Sequence, residues 1–116
     1  MKKVLIVEDL DFMQKQYAID FYGIAQVFAA RTLKQTKELL SKHPDFDIIF
    51  WDENIGDHSP HDLIKATQEY FKGPMVGISC EGPHGSAILS GAGIRHHCYK
   101  SKLVETFNKL LGPASV

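Results

Sequence analysis

The stretch Lys3-Val4-Leu5-Ile6-Val7-Glu8-Asp9 decides the fold. Its four apolar residues are continuous and rich in β-branched side chains, and they end abruptly on two acids. An unbroken apolar run of this length reads as a strand covered on both faces. The pattern repeats downstream. Residues 25–29, 47–51, 75–79 and 96–99 read as strands, the last the weakest. Between them, residues 11–22, 33–43 and 60–71 carry apolar residues at helical spacing. Gly23 and Pro44 close the first two helices, and Gly73-Pro74 breaks the third. Thr32-Leu33-Lys34-Gln35 is a capping-box pattern, and Ser59-Pro60-His61-Asp62 offers Ser as cap with Pro at the first helical position. Residues 81–93 hold four Gly and one Pro, so the fourth helix should be short, with its core at 86–90. Ser101 is expected to cap a last helix over 102–111.

Five βα units imply parallel strands joined by right-handed crossovers with helices on both faces. The expected fold is α/β, a doubly wound, five-stranded parallel sheet of flavodoxin-like order 2-1-3-4-5. The whole chain, 1–116, is expected to be one domain, with a short tail or linker start from Gly112.

Composition excludes several function classes. Of 116 residues, 44% are apolar and 23% charged, ordinary globular values. Thirteen basic residues face fourteen acidic ones, so no positive excess is present to neutralise nucleic-acid phosphates or to bind a membrane surface. No apolar run approaches a membrane span, and the run after Met1-Lys2-Lys3 is too short for a signal peptide. Cys80 and Cys98 lack metal-site spacing and read as reduced, buried thiols of a cytoplasmic protein.

In open parallel sheets, ligands bind outside the carboxyl ends of the strands. The residues there are Glu8 and Asp9 after the first strand, Asp52 after the third, Ser79 at the fourth and Lys100 after the fifth. Three carboxylates on one rim repel one another, and a hard divalent cation such as Mg²⁺ relieves this through oxygen ligands. An Asp beside such an ion can act as a nucleophile toward phosphorus, and Lys100 and Ser79 can follow the phosphoryl oxygens.

This constellation resembles the receiver domain of two-component response regulators over essentially the whole chain. The motifs are Lys3 to Asp9, Asp47-Ile48-Ile49-Phe50-Trp51-Asp52-Glu53-Asn54, Pro74-Met75-Val76-Gly77-Ile78-Ser79-Cys80, and Gly91-Ala92-Gly93 leading to Tyr99-Lys100. The resemblance implies a phosphoacceptor at Asp52 and a metal site from Glu8, Asp9, Asp52 and the Asn54 carbonyl, with Asp9 a direct Mg²⁺ ligand. It implies a switch at Ser79 and His97, and a phosphoryl-pairing Lys100. It also implies a histidine kinase or phosphotransfer protein as donor, a downstream protein as target, and homodimerisation through the face from the fourth to the fifth helix. Such a domain is a signalling module that assists its own phosphorylation and dephosphorylation rather than an enzyme.

The chain departs from the family at four places. Ser101 stands where Pro usually follows the lysine, so the Lys100–Ser101 bond is either trans or a cis bond held by local contacts. His97 replaces the switch aromatic, and an imidazole can titrate near neutral pH. Gly56 takes the usual Pro position after the phosphoacceptor, and Pro60 the usual Gly position.

A second reading, from another class, is a receiver-like interaction module that never turns over phosphate. A flavodoxin-like cofactor enzyme lacks its phosphate loop, because Glu8-Asp9-Leu10-Asp11 would repel a phosphate. The six histidines lack the second cluster that a zinc site needs.

Overall fold

The computed structural model describes residues 1–53, 55–56, 58–79 and 87–112. Five strands and five helices alternate: β1 (Lys3–Val7), α1 (Asp11–Asp20), β2 (Gln26–Ala30), α2 (Leu33–Lys42), β3 (Ile48–Asp52), α3 (His61–Gln68), β4 (Met75–Ser79), α4 (Ala87–Gly91), β5 (His96–Tyr99) and α5 (Leu103–Leu111). The strands form one parallel sheet of order β2-β1-β3-β4-β5. The expected fold and strand order are those observed.

Alternation along the strands divides the core between two faces. Leu5, Val7, Ile49 and Trp51 pack with Leu40 of α2, Ile64 of α3 and Leu89 of α4. Val4, Ile6, Ile48, Phe50, Val76 and Ile78 pack with Tyr17 of α1 and with Leu103 and Phe107 of α5. Every residue of β3 is buried, as the central position of that strand requires.

The element ends differ from expectation in ways with physical causes. Helix α1 stops at Asp20, two residues early, because Phe21 turns back into the core while Tyr22 stays 89% exposed. Phe12 and Ile19 also face outward, so the apolar residues of α1 lie on two faces rather than one stripe. Asp47 is not part of β3; its carboxylate accepts the Lys3 backbone N–H. Thr32 does cap α2, its hydroxyl accepting the Gln35 N–H at 3.0 Å. The Gln35 side chain reaches the N–H of Arg31 rather than that of Thr32, so only half of the capping box forms. Pro60, not Ser59, sits at the cap position of α3, and Ser59 Oγ accepts the His61 N–H from one residue earlier. That helix ends at Gln68, short of Phe71. Ser101 does not cap α5, because the turn Tyr99–Lys102, closed by Lys102 N–H to Tyr99 C=O, moves the cap position to Lys102. The Lys100–Ser101 peptide is trans. Helix α4 is described from Ala87; Ser86 lies outside the described residues, as do Asn54, Cys80 and the tail beyond Gly112. Cys98 is a free, buried thiol, as expected. Among the described residues no helix is long and apolar enough to cross a membrane.

Candidate functional site at the carboxyl ends of the strands

The sheet register brings the rim residues together. Val7 of β1 lies beside Trp51 of β3, so the next residues, Glu8 and Asp52, emerge side by side. β3 runs one residue further than expected, so Asp52 is its last residue rather than the first beyond it. Ser79 and Tyr99 are register partners, which sets Lys100 next to Ser79. Glu8, Asp9 and Asp52 each place a carboxylate oxygen within 4.8 Å of the others. Lys100 joins them: its Nζ lies 2.9 Å from Glu8 Oε1 and 3.2 Å from Asp52 Oδ2.

Burial makes these charges matter. Glu8 is fully buried, and Asp52 nearly so. Desolvation, then the neighbouring Asp52, pushes the Glu8 carboxyl above the ordinary range, with Lys100 pulling the other way. For Lys100, burial works against the ammonium, but the bonds to Glu8 and Asp52 outweigh it and hold its pKa above the ordinary lysine value. One cation thus compensates part of the repulsion among three acids. The donor set, all carboxylate oxygen, suits a hard cation such as Mg²⁺ or Ca²⁺ rather than zinc.

Three supporting residues escape sequence reasoning. Tyr17 is fully buried on α1 and donates its hydroxyl to Glu8 Oε1 at 3.1 Å. From the sequence it is one more apolar helix position. Gln14, also buried, uses its Nε2 on the carbonyls of Ile6, Glu8 and Ala30, at 3.0, 3.0 and 3.3 Å. It pins the backbone where β1 gives way to the rim. Gly56, at φ +62°, donates its N–H to Asp9 Oδ2 at 3.1 Å. A proline there could offer no such donor. The departure from the family pattern at Gly56 is the one available signal for this contact.

His97 points inward. Its Nε2 donates to the Ile94 carbonyl at 3.1 Å and lies 3.3 Å from Ser90 Oγ. Since a carbonyl only accepts, Nε2 carries the proton, and Nδ1 is left buried without a partner among the described residues. Ser79, half-buried at the end of β4, and Lys100 line a cleft of about 570 Å³ with Met13 and Gln16 of α1. His97 therefore sits one layer beneath the rim, while Ser79 is on it.

No protein-family model and no curated protein matches the chain. Solved structures do. The receiver domain of the TMAO respiratory response regulator TorR matches with a TM-score of 0.80 and 19% identity, over 96% of this chain and 97% of that one. A chain from the complex of the CheA3 P1 domain with CheY6 of R. sphaeroides matches with a TM-score of 0.78 and 18% identity, over 95% and 96%. A Burkholderia pseudomallei response regulator solved with a phosphorylated aspartic acid, calcium and citrate matches at 0.77 and 17%, over 96% of this chain and 66% of that one. The chain has the fold of response-regulator receiver domains.

Proposed function

We propose that this chain is a phosphoryl-accepting receiver domain, with Asp52 as acceptor. The observation that carries the reading is Lys100 bridging Glu8 and Asp52 within a cluster of three carboxylates. Asp9 and Asp52 would hold a Mg²⁺ ion, with Glu8 behind them, and the ion's charge would offset that of an incoming phosphate. Asp52 Oδ attacks phosphorus, the P–N bond of a donor phosphohistidine breaks, and the freed imidazole takes up a proton. Lys100 then pairs with a phosphoryl oxygen, and Ser79 offers its hydroxyl to another. Water later cleaves the acyl phosphate and releases inorganic phosphate.

The donor is a histidine kinase or histidine phosphotransfer protein. The exposed Phe12 and Ile19 on α1, together with the cleft over Ser79 and Lys100, support docking of an apolar helix face beside the rim. On this reading the protein acts in the cytoplasm as a signalling module. The same exposed apolar residues on α1 are also what a phosphate-free interaction module would use.

One experiment separates the two. Acetyl phosphate with Mg²⁺ should add a single phosphate, labile to hydroxylamine, and Asp52→Asn should abolish it. No adduct on the parent chain leaves the interaction module standing; full adduct on Asp52→Asn removes Asp52 as acceptor.

A further inference from the structure

Glu8 is fully buried, yet its carboxylate has only two donors among the described residues, both on Oε1: Lys100 Nζ at 2.9 Å and Tyr17 Oη at 3.1 Å. Oε2 is buried with no donor among the described residues. The two donors differ in kind. Lys100 is shared with Asp52, so it is a partner that can be called away. Tyr17 is held in place: it is fully buried among Val4, Ile6, Phe21 and Phe107, and its hydroxyl is bonded to Glu8 alone among the described residues.

We infer that Tyr17 is a positioning residue that holds Glu8 when Lys100 leaves the Glu8–Asp52 pair for the phosphoryl group. The inference rests on the phosphoacceptor reading above. Moving Lys100 onto a phosphoryl oxygen strips Glu8 of its charge-assisted bond. With the Tyr17 hydroxyl present, the buried carboxylate keeps one donor. Without it, the carboxylate keeps no N–H or ammonium donor among the described residues, and so poorly satisfied a buried group resists the transfer. Tyr17 thus weights the choice Lys100 makes between its two states.

The test uses the full chain with Mg²⁺ and beryllofluoride, a phosphoryl mimic. Tyr17→Phe, which removes one oxygen and little volume, should weaken beryllofluoride binding on the order of tenfold. The parent chain labelled with 3-fluorotyrosine supplies a second measurement, read on the unaltered Tyr17. The Tyr17 ¹⁹F resonance, assigned among the four tyrosines by single Tyr→Phe changes, should move on adding beryllofluoride, because its acceptor loses Lys100. An unmoved resonance, or an unchanged affinity in a folded Tyr17→Phe chain, overturns the inference while the receiver reading stands. Failure of the parent chain to bind beryllofluoride at all overturns both.

Discussion

The imidazole of His97 fills the space that the missing side chain of Gly77 leaves open. A Cβ built on Gly77 would lie 2.7 Å from His97 Nδ1 and 2.8 Å from a methyl of Leu89. The two residues are register partners on β4 and β5, and Trp51 of β3 lies on the other side of Gly77 in the same row. A small residue on β4 lets a ring from the edge strand β5 lean inward under the rim.

Gly77→Ala should therefore expel the ring. We expect a destabilisation of about 1–3 kcal/mol from overpacking, together with loss of the His97 bond to the Ile94 carbonyl. Imidazole ¹⁵N spectra check this: the parent chain should show His97 protonated at Nε2 and bare at Nδ1, and the variant should show fast tautomer exchange. An unaltered His97 signal in Gly77→Ala would mean that Leu89, not His97, yields.

Asp9 should exchange one partner for another when metal arrives. Its Oδ2 accepts the Gly56 N–H at 3.1 Å. Titration with Mg²⁺ should move the Gly56 amide proton upfield as its acceptor turns to the ion, alongside the shifts of Asp9 and Asp52. A Gly56 amide that holds still at millimolar Mg²⁺ would mean that Asp9 is not a ligand.

Stability should fall on the alkaline side. Cys98 and Tyr17 are pushed up chiefly by burial, and Lys100 is held up by Glu8 and Asp52 against burial. In the unfolded chain these groups lose their protons from about pH 9.0, 10.0 and 10.5 upward, while the folded chain retains them. The unfolded state then binds fewer protons, so the slope of unfolding free energy against pH is negative. Urea midpoints measured from pH 8 to 11 should decline, and the phenolate absorbance of Tyr17 should appear only with unfolding. A flat profile would contradict the buried setting of these groups.

Thr32 and Ser101 make a paired control on helix starts. Only Thr32 caps its helix, so Thr32→Ala should cost about 1 kcal/mol. Ser101→Ala should stay within about 0.5 kcal/mol. Equal losses in denaturant titrations would restore Ser101 as a cap.

The strands were legible because continuous apolar runs have one explanation in a doubly wound sheet. The rim was legible because strand ends share an edge whatever the side-chain rotamers do, so Glu8, Asp9, Asp52, Ser79 and Lys100 could be gathered by topology alone. What resists reading is direction. Phe12 and Tyr17 are both aromatic residues of α1, yet one faces solvent and the other reaches Glu8. Only the departure from the family pattern at Gly56 hints that its amide meets Asp9, and nothing in the order of residues says that His97 turns inward over Gly77. These depend on rotamers and on a backbone turn at positive φ, which only the assembled neighbours determine.

The crowding of three acids around one ammonium also bears on how the molecule would respond to selection. Neutralising Glu8 or Asp52 brings the rim closer to charge balance, so a library screened for heat resistance alone should enrich such changes. Durability and chemistry are thus written on the same residues in opposite directions. A lineage or an engineering campaign that rewards only the first would keep the fold and lose the site.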